Sequence, residues 1–338
     1  MMGRGNNKLY RKRGLSLFFA FFLYQGTVLL IIHPGNLSAQ TTTSHSGTGT
    51  LPSLTLQAPS GKLRIASCQF PVSASIDENY KWIKSQLIEA KLKKADVVHF
   101  PECALSGYPG TDMRTMVDFD WEKLNKATDS IMILAREMGL WIVLGSMHQL
   151  SGNNKPHNSL YLINPEGLII DRYDKRFCTS GDLDYFTPGD HLVNFEINGV
   201  QCGLLICYDV RFPELYREYR KSGTDLVFQS FYNARQKKGS IHPQIMPITA
   251  QARAATNYFY ISLTNSSATE SWPCYFITPD GLVQNKLPLN EPGILISDVD
   301  THITFYDASG PYRENAINGK LNSGETIQDP RSTDRKNH

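Results

Sequence analysis

Apolar residues return along this chain with two periods, one helical and one of strands, and their order predicts an α/β fold. Leu63 to Phe70 alternates weakly and reads as a strand. Ser75-Ile76-Asp77-Glu78 has the form of a capping box, and behind it Tyr80, Ile83, Leu87 and Ala90 recur at three- and four-residue steps. That spacing predicts a helix with one face on the core. Val97-Val98-His99-Phe100 is a short apolar strand, Trp121 to Met138 a second helix, and Trp141 to Gln149 a further strand. Asn158 to Ile163 and Leu168 to Tyr173 flank the turn sequence Asn164-Pro165-Glu166-Gly167, which predicts a hairpin. An apolar run, Gly203 to Ile206, leads into Cys207. A helix follows: Pro213 suits its first turn, Glu214 its positive end, Leu215 and Tyr219 lie one helical step apart, and Gly223 suits the stop. Asp225 to Phe231, Tyr258 to Asn265, Tyr275 to Thr278 and Ile294 to Val299 read as strands. No period repeats. The pattern gives a single globular domain over 62–323, then a polar tail, 324–338, expected to be disordered.

The N-terminus has a different character. Arg4, Lys8, Arg11, Lys12 and Arg13 precede a charge-free apolar stretch running from Leu15 to Ile32, and Leu37-Ser38-Ala39 closes it with small residues. This is the order of a secretory signal peptide, 1–39, cut after Ala39. The apolar run is long for a signal, so an uncleaved membrane anchor is the alternative. Either version places the domain outside the cytoplasm, periplasmic or extracellular, and the membrane is a partner only if the segment stays uncleaved. Residues 40–61 are rich in Ser, Thr, Gly and Pro and read as a linker. Of the net charge of +2, the N-terminal bases supply five positive charges without an acid before Ala39, so the rest is slightly acidic. Such a body excludes nucleic acid as a partner.

Three strand ends carry chemistry. Glu102 ends one apolar strand, Lys175 another, and Cys207 a third, and open α/β sheets collect their sites at these carboxyl ends. A cysteine in a strand-to-helix turn lies near a helix N-terminus, which favours thiolate and lowers its pKa. The Glu can take the thiol proton and later activate water. The Lys, with the backbone N–H of Tyr208, can hold a developing oxyanion. Taken singly, Glu102 and Lys175 would read as an ion pair or as solvated strand ends.

Phe100 to Pro109 (FPECALSGYP), Tyr173 to Phe177 (YDKRF) and Cys207 to Arg217 (CYDVRFPELYR) together resemble the three ordered blocks of the nitrilase, or carbon–nitrogen hydrolase, superfamily. The likeness runs from about Leu63 to about Lys320. It implies an α-β-β-α sandwich of four layers and a homodimer or larger homo-oligomer. It implies Glu102 as general base, Lys175 as oxyanion holder and Cys207 as nucleophile, cleaving non-peptide C–N bonds through a thioester or thioimidate without cofactor or metal. The chain departs from the pattern at Asp182, where many members carry a second glutamate seven positions after the lysine. The shorter acid could keep that role through a small backbone shift, pass it to Asp184, or lie in a solvated loop.

The motif form around Cys207 is closer to the amidase branches, omega-amidases included. The expected reaction is therefore hydrolysis of a small amide by water, with release of ammonia. An N-carbamoyl amine hydrolase or nitrilase is the rival enzyme, and a catalytically silent binding module the rival of another class. Arg211 is a candidate for a substrate carboxylate, since guanidinium binds carboxylate as a fork. Tyr108, Phe177, Phe231, Tyr232, Asn233, Trp272 and Cys274 are candidates for the pocket wall, and Asn233 to Pro243 for a loop over it. His242 reads as structural at a Pro-flanked helix start. The six cysteines include no CxxC pair, and the histidines have no zinc spacing, so no metal is expected.

Overall fold

Strict alternation along the strands sorts the chain into layers. The computed structural model describes residues 60–338. The segment read as a signal or anchor, and the linker up to residue 59, lie outside the described residues. The first half runs β1 (Lys62–Gln69), α1 (Ile76–Leu92), β2 (Val97–His99), α2 (Trp121–Met138), β3 (Trp141–His148), β4 (His157–Ile163) and β5 (Ile169–Asp174). The second runs β6 (Asn194–Ile197), β7 (Val200–Ile206), α3 (Pro213–Lys221), β8 (Leu226–Ser230), α4 (His242–Asn257), β9 (Tyr260–Thr264), β10 (Tyr275–Ile277) and β11 (Val283–Lys286). The strand β12 (Gly293–Asp300) then returns to the first sheet, whose order is β12-β1-β2-β3-β4-β5; the second is β11-β10-β9-β8-β7-β6. In each sheet three consecutive strands, β1-β2-β3 and β7-β8-β9, are parallel.

Ala66, Cys68, Val98, Ile142 and Leu144 face α1 and α2, while Leu63, Ile65, Val97 and Val143 face the second sheet. On the far side, α3 and α4 bury Leu215, Tyr216, Tyr219, Met246, Ala250 and Ala254. The result is the expected α-β-β-α sandwich. Gly203 is required by this packing: a methyl on it would lie 2.4 Å from the Tyr219 ring.

The predicted elements are present within a residue or two. Ser75 caps α1 by accepting from the N–H of Glu78. Several elements escape the pattern in whole or in part. The edge strands β6 and β11 are short and half polar, so they lack a clear period. Helix α4 starts at the loop expected over the site, and Pro243 and Pro247 break its helical signature; Pro243 fits the first turn, and Pro247 lies inside. The C-terminal helices are α5 (Gly310–Ile317) and α6 (Pro330–Thr333), the latter a single turn in a fully exposed tail.

One ionisable group sits between the sheets. Burial holds the His99 imidazole down to about 3, from an ordinary 6.5. The unfolded chain therefore binds the extra proton between those values, so stability falls as pH drops from the upper value toward the lower. From about pH 6.5 to about pH 5 the loss is on the order of 2 kcal/mol. Urea unfolding at both pH values should give slopes that differ by this amount between the wild type and His99→Phe, since groups common to both, such as buried Asp209, cancel in the comparison. Equal slopes would refute it.

Candidate active site

Cys207 directly follows β7 and opens a 3₁₀ turn, Cys207–Arg211, before α3. Its φ is +44°, a left-handed conformation that a non-glycine residue adopts at a cost of about 1–3 kcal/mol. Asp209, buried in the same turn, pins it. Its carboxylate accepts from Ile206 N at 3.0 Å, Tyr173 Oη at 2.8 Å and Phe177 N at 2.9 Å. One side chain thus ties the nucleophile turn to the segment that carries Lys175.

Glu102 lies just past β2, fully buried. The chain reaches it by passing over β3 at Gly145, where a methyl would lie 1.9 Å from Pro101 O. Both carboxylate oxygens are held. Oε1 accepts from Lys175 Nζ at 2.9 Å and Asn158 Nδ2 at 2.7 Å; Oε2 accepts from the Tyr232 N–H at 2.7 Å. Burial raises the Glu102 pKa, with Lys175 opposing.

Lys175 is buried between two acids, Glu102 and, at 2.8 Å, Asp182. Burial alone would depress its pKa, but Glu102, Tyr108, Cys207 and Asp182 together hold it well above the ordinary lysine value. Asp182, not Asp184, therefore meets the lysine. A 3₁₀ turn, Asp182–Asp184, brings the short side chain in; it also accepts from Thr179 N at 2.9 Å and Tyr108 Oη. Burial works to raise the Asp182 pKa, but Lys175, Tyr108 and Thr179 bring it below its ordinary value. Asp184 is exposed.

Burial and the Glu102 carboxylate push the Cys207 thiol well above its ordinary value. This corrects the expectation of a lowered pKa. The turn after the strand is a short 3₁₀ segment, α3 begins only at Pro213, and desolvation outweighs what the helix end offers. The resting group is a thiol beside a base.

A cavity of about 380 Å³ opens on this cluster. Of the residues expected there, Tyr108, Lys175, Asp182, Cys207, Tyr208, Tyr232 and Asn233 line it. Tyr108 and Tyr232 stack at 4.8 Å as one wall. His242 lines it too, at the start of α4, with Thr111, Gln236 and Met246.

Other expectations are corrected. Arg211 is exposed, outside the cavity lining, and in no ion pair among the described residues. Phe231 is buried edge-on against Trp272 in the core, and contributes only its carbonyl, which accepts from Glu102 N at 3.3 Å. Trp272 supports Asn233 from behind through its ring N–H, at 3.1 Å. Phe177 stacks on Phe212 and Cys274 bonds to Cys68 O, both away from the cavity.

The sequence reading passed over Asn158 and Asp209. Asn158 had a usable signal. It is a polar residue on the hairpin arm facing Lys175, whose N–H it accepts at 2.8 Å. Among the described residues, no cluster of His, Cys, Asp and Glu is placed to hold a metal.

The carbon–nitrogen hydrolase family model matches residues 64–306. The chain belongs to that family. It is thus a hydrolase of carbon–nitrogen bonds, in the nitrilase superfamily. Among its relatives, a 2-oxoglutaramate amidase of Bacillus subtilis is 33% identical over 173 residues, 50% of this chain and 64% of that protein. An omega-amidase of Xenopus tropicalis is 27% identical over 256 residues, 71% of this chain and 89% of that one. An amidase from Nesterenkonia sp. has the same fold, with TM-score 0.64 and 22% identity, covering 77% of this chain and 96% of that chain. A glutamine-dependent NAD+ synthetase from Acinetobacter baumannii shares it over 71% of this carbon–nitrogen hydrolase and 46% of the synthetase, with TM-score 0.62 and 21% identity.

Proposed function

We propose that this carbon–nitrogen hydrolase is an amidase acting on a small non-peptide amide, with Cys207 as nucleophile, Glu102 as base and Lys175 as oxyanion holder. The observation that carries the reading is the buried Glu102–Lys175–Asp182 cluster behind Cys207, opening on one cavity. Amidase relatives support the choice of bond.

Glu102 takes the proton from Cys207 Sγ as the sulfur attacks the amide carbon. The carbonyl oxygen becomes an oxyanion, held by Lys175 Nζ and the Tyr208 N–H, one of the N–H groups that a helix start leaves without a helix partner. The C–N bond then breaks, and the proton on Glu102 passes to the leaving nitrogen, which departs as ammonia. A thioester remains. Glu102 next draws a proton from water, whose oxygen attacks the thioester carbon; the C–S bond breaks and the proton returns to sulfur. Asp182 balances the Lys175 charge throughout.

Ammonia release from a panel of amides, carbamoyl amines and nitriles tests this, with Cys207→Ala as the blank. Amides should lead. Preference for carbamoyl amines or nitriles would replace the substrate class, and no release above the blank would favour a silent binding module.

Thiol labelling gives a second test. At limiting iodoacetamide, intact mass and peptide mapping should find the first adduct on Cys207, and Glu102→Gln should slow it. Cys178 is more accessible, but its Sγ lies against the Lys175 carbonyl and has no carboxylate to take its proton as Glu102 does for Cys207, so it should lag. Faster labelling at Cys178 would count against the assignment. For the N-terminus we propose export; sequencing of protein from the native host should begin near Gln40.

A further inference from the structure

Five polar side chains, Ser67, His99, Ser230, Ser262 and Thr264, form a connected chain between the sheets, and each is fully buried. Ser67 Oγ lies 2.7 Å from Ser262 Oγ, and Ser262 Oγ lies 2.8 Å from His99 Nδ1. His99 Nε2 lies 2.9 Å from Ser230 Oγ and 3.3 Å from Thr264 Oγ1. Ser230 Oγ and Thr264 Oγ1 lie 2.8 Å and 3.1 Å from the carbonyl oxygen of Phe100.

The hydrogens can be followed one by one. Each hydroxyl has one to give, and so does a neutral imidazole. With the ring proton on Nε2, every hydrogen meets an acceptor. Ser67 gives to Ser262, Ser262 to His99 Nδ1, His99 to Ser230, and Ser230 and Thr264 both give to Phe100 O. With the proton on Nδ1, Ser262 no longer gives to the ring, and either its hydrogen or that of Ser67 has no acceptor among the described residues. A stranded buried hydroxyl is costly. The geometry therefore assigns the Nε2–H tautomer.

In that arrangement all the donors run one way, from β1 through β9, β2 and β8, and end on the carbonyl two residues before Glu102. The chain also crosses β8 at Ser230, two residues before Tyr232, whose N–H holds Glu102 Oε2. Phe231, between them, takes the Glu102 N–H. The backbone segment that carries Glu102 and the one whose Tyr232 N–H grips its carboxylate thus both hang from one imidazole.

We propose that His99 is the positioning residue of Glu102, acting through the Phe100 carbonyl and the end of β8 rather than by touching substrate. This rests on the reading of Glu102 as the base. A displacement of about 1 Å at a reacting group can cost roughly a hundredfold in rate. His99→Phe, close in shape but without ring nitrogens, should therefore lower kcat by about 10- to 100-fold, with KM changed by less than about threefold. Iodoacetamide labelling of Cys207 should slow in parallel. His99→Gln, which restores a donor and an acceptor, should recover part of the loss. Thr264→Val removes one donor from Phe100 O with little change of shape, and should lower kcat modestly and non-additively with His99→Phe.

Glu102→Gln is measured alongside to separate two failures. Wild-type turnover in Glu102→Gln would overturn the base assignment itself. An inactive Glu102→Gln beside a folded His99→Phe of wild-type kcat would overturn the positioning role alone. If His99→Phe does not fold, Thr264→Val decides: a lowered kcat at unchanged KM supports the role, and an unchanged kcat overturns it.

Discussion

Glu102→Gln should lower kcat by roughly 10²–10⁴ on the best amide found while leaving the fold intact. The substitution keeps the shape and can still accept from Asn158, Lys175 or the Tyr232 N–H, but it cannot take a proton. Thiol activation and water attack should both slow, because the buried thiol does not ionise by itself near neutral pH. The pH profile carries the sharper test. Glu102 must be deprotonated to act, and burial raises its pKa. The acid limb of kcat/KM in the wild type should therefore lie above the ordinary glutamate range, and in Glu102→Gln that limb should vanish. Circular dichroism with steady-state kinetics across pH checks both points. A soluble variant with wild-type turnover, or an unchanged acid limb, would refute the assignment.

Lys175→Met should cost about 10²–10³ in kcat, the usual cost of one oxyanion donor, with KM little changed because the oxyanion exists only beyond the ground state. It should also destabilise the protein. Sequence reasoning alone would let this variant fold freely, since a single charge does not make a core. The structure alters that expectation. Lys175 is buried between Glu102 and Asp182, and its removal leaves two acids buried without their partner. Breaking a buried pair of this kind costs about 3–5 kcal/mol. Adding Asp182→Asn should return part of the stability without returning activity. Urea unfolding and kinetics on the single and double variants test this. Wild-type turnover in the folded single variant would sink the oxyanion role; unchanged stability would sink the account of the buried cluster.

The layers were legible because burial imposes periods on the chain. The α1 stripe survives in any context that buries one face, and the apolar runs of β1 and β3 show as strands buried on both. Glu102, Lys175 and Cys207 were legible because each chemical group ends an apolar strand. The elements that escaped have weak periods or ambiguous breakers, as in β6, β11 and the proline-bearing α4.

What the sequence by itself determined is therefore the strand-and-helix order, the family and the three chemical groups at strand ends. Only the tertiary structure decided how those groups behave. Arg211 was a candidate by its chemistry and its place four residues after Cys207, and the turn decides where it points. The turn is 3₁₀, and at about three residues per turn the fourth position points about 120° away. Phe231 and Tyr232 are neighbours that face opposite ways, one into the core and one into the cavity, and strand-end register fixes which. Asp182 prevails over Asp184 because a 3₁₀ turn carries it onto Lys175. The thiol pKa rises because neighbours far along the chain exclude water from it. Desolvation, register and ion pairing all depend on residues that meet only when the two sheets close, and no local pattern encodes them.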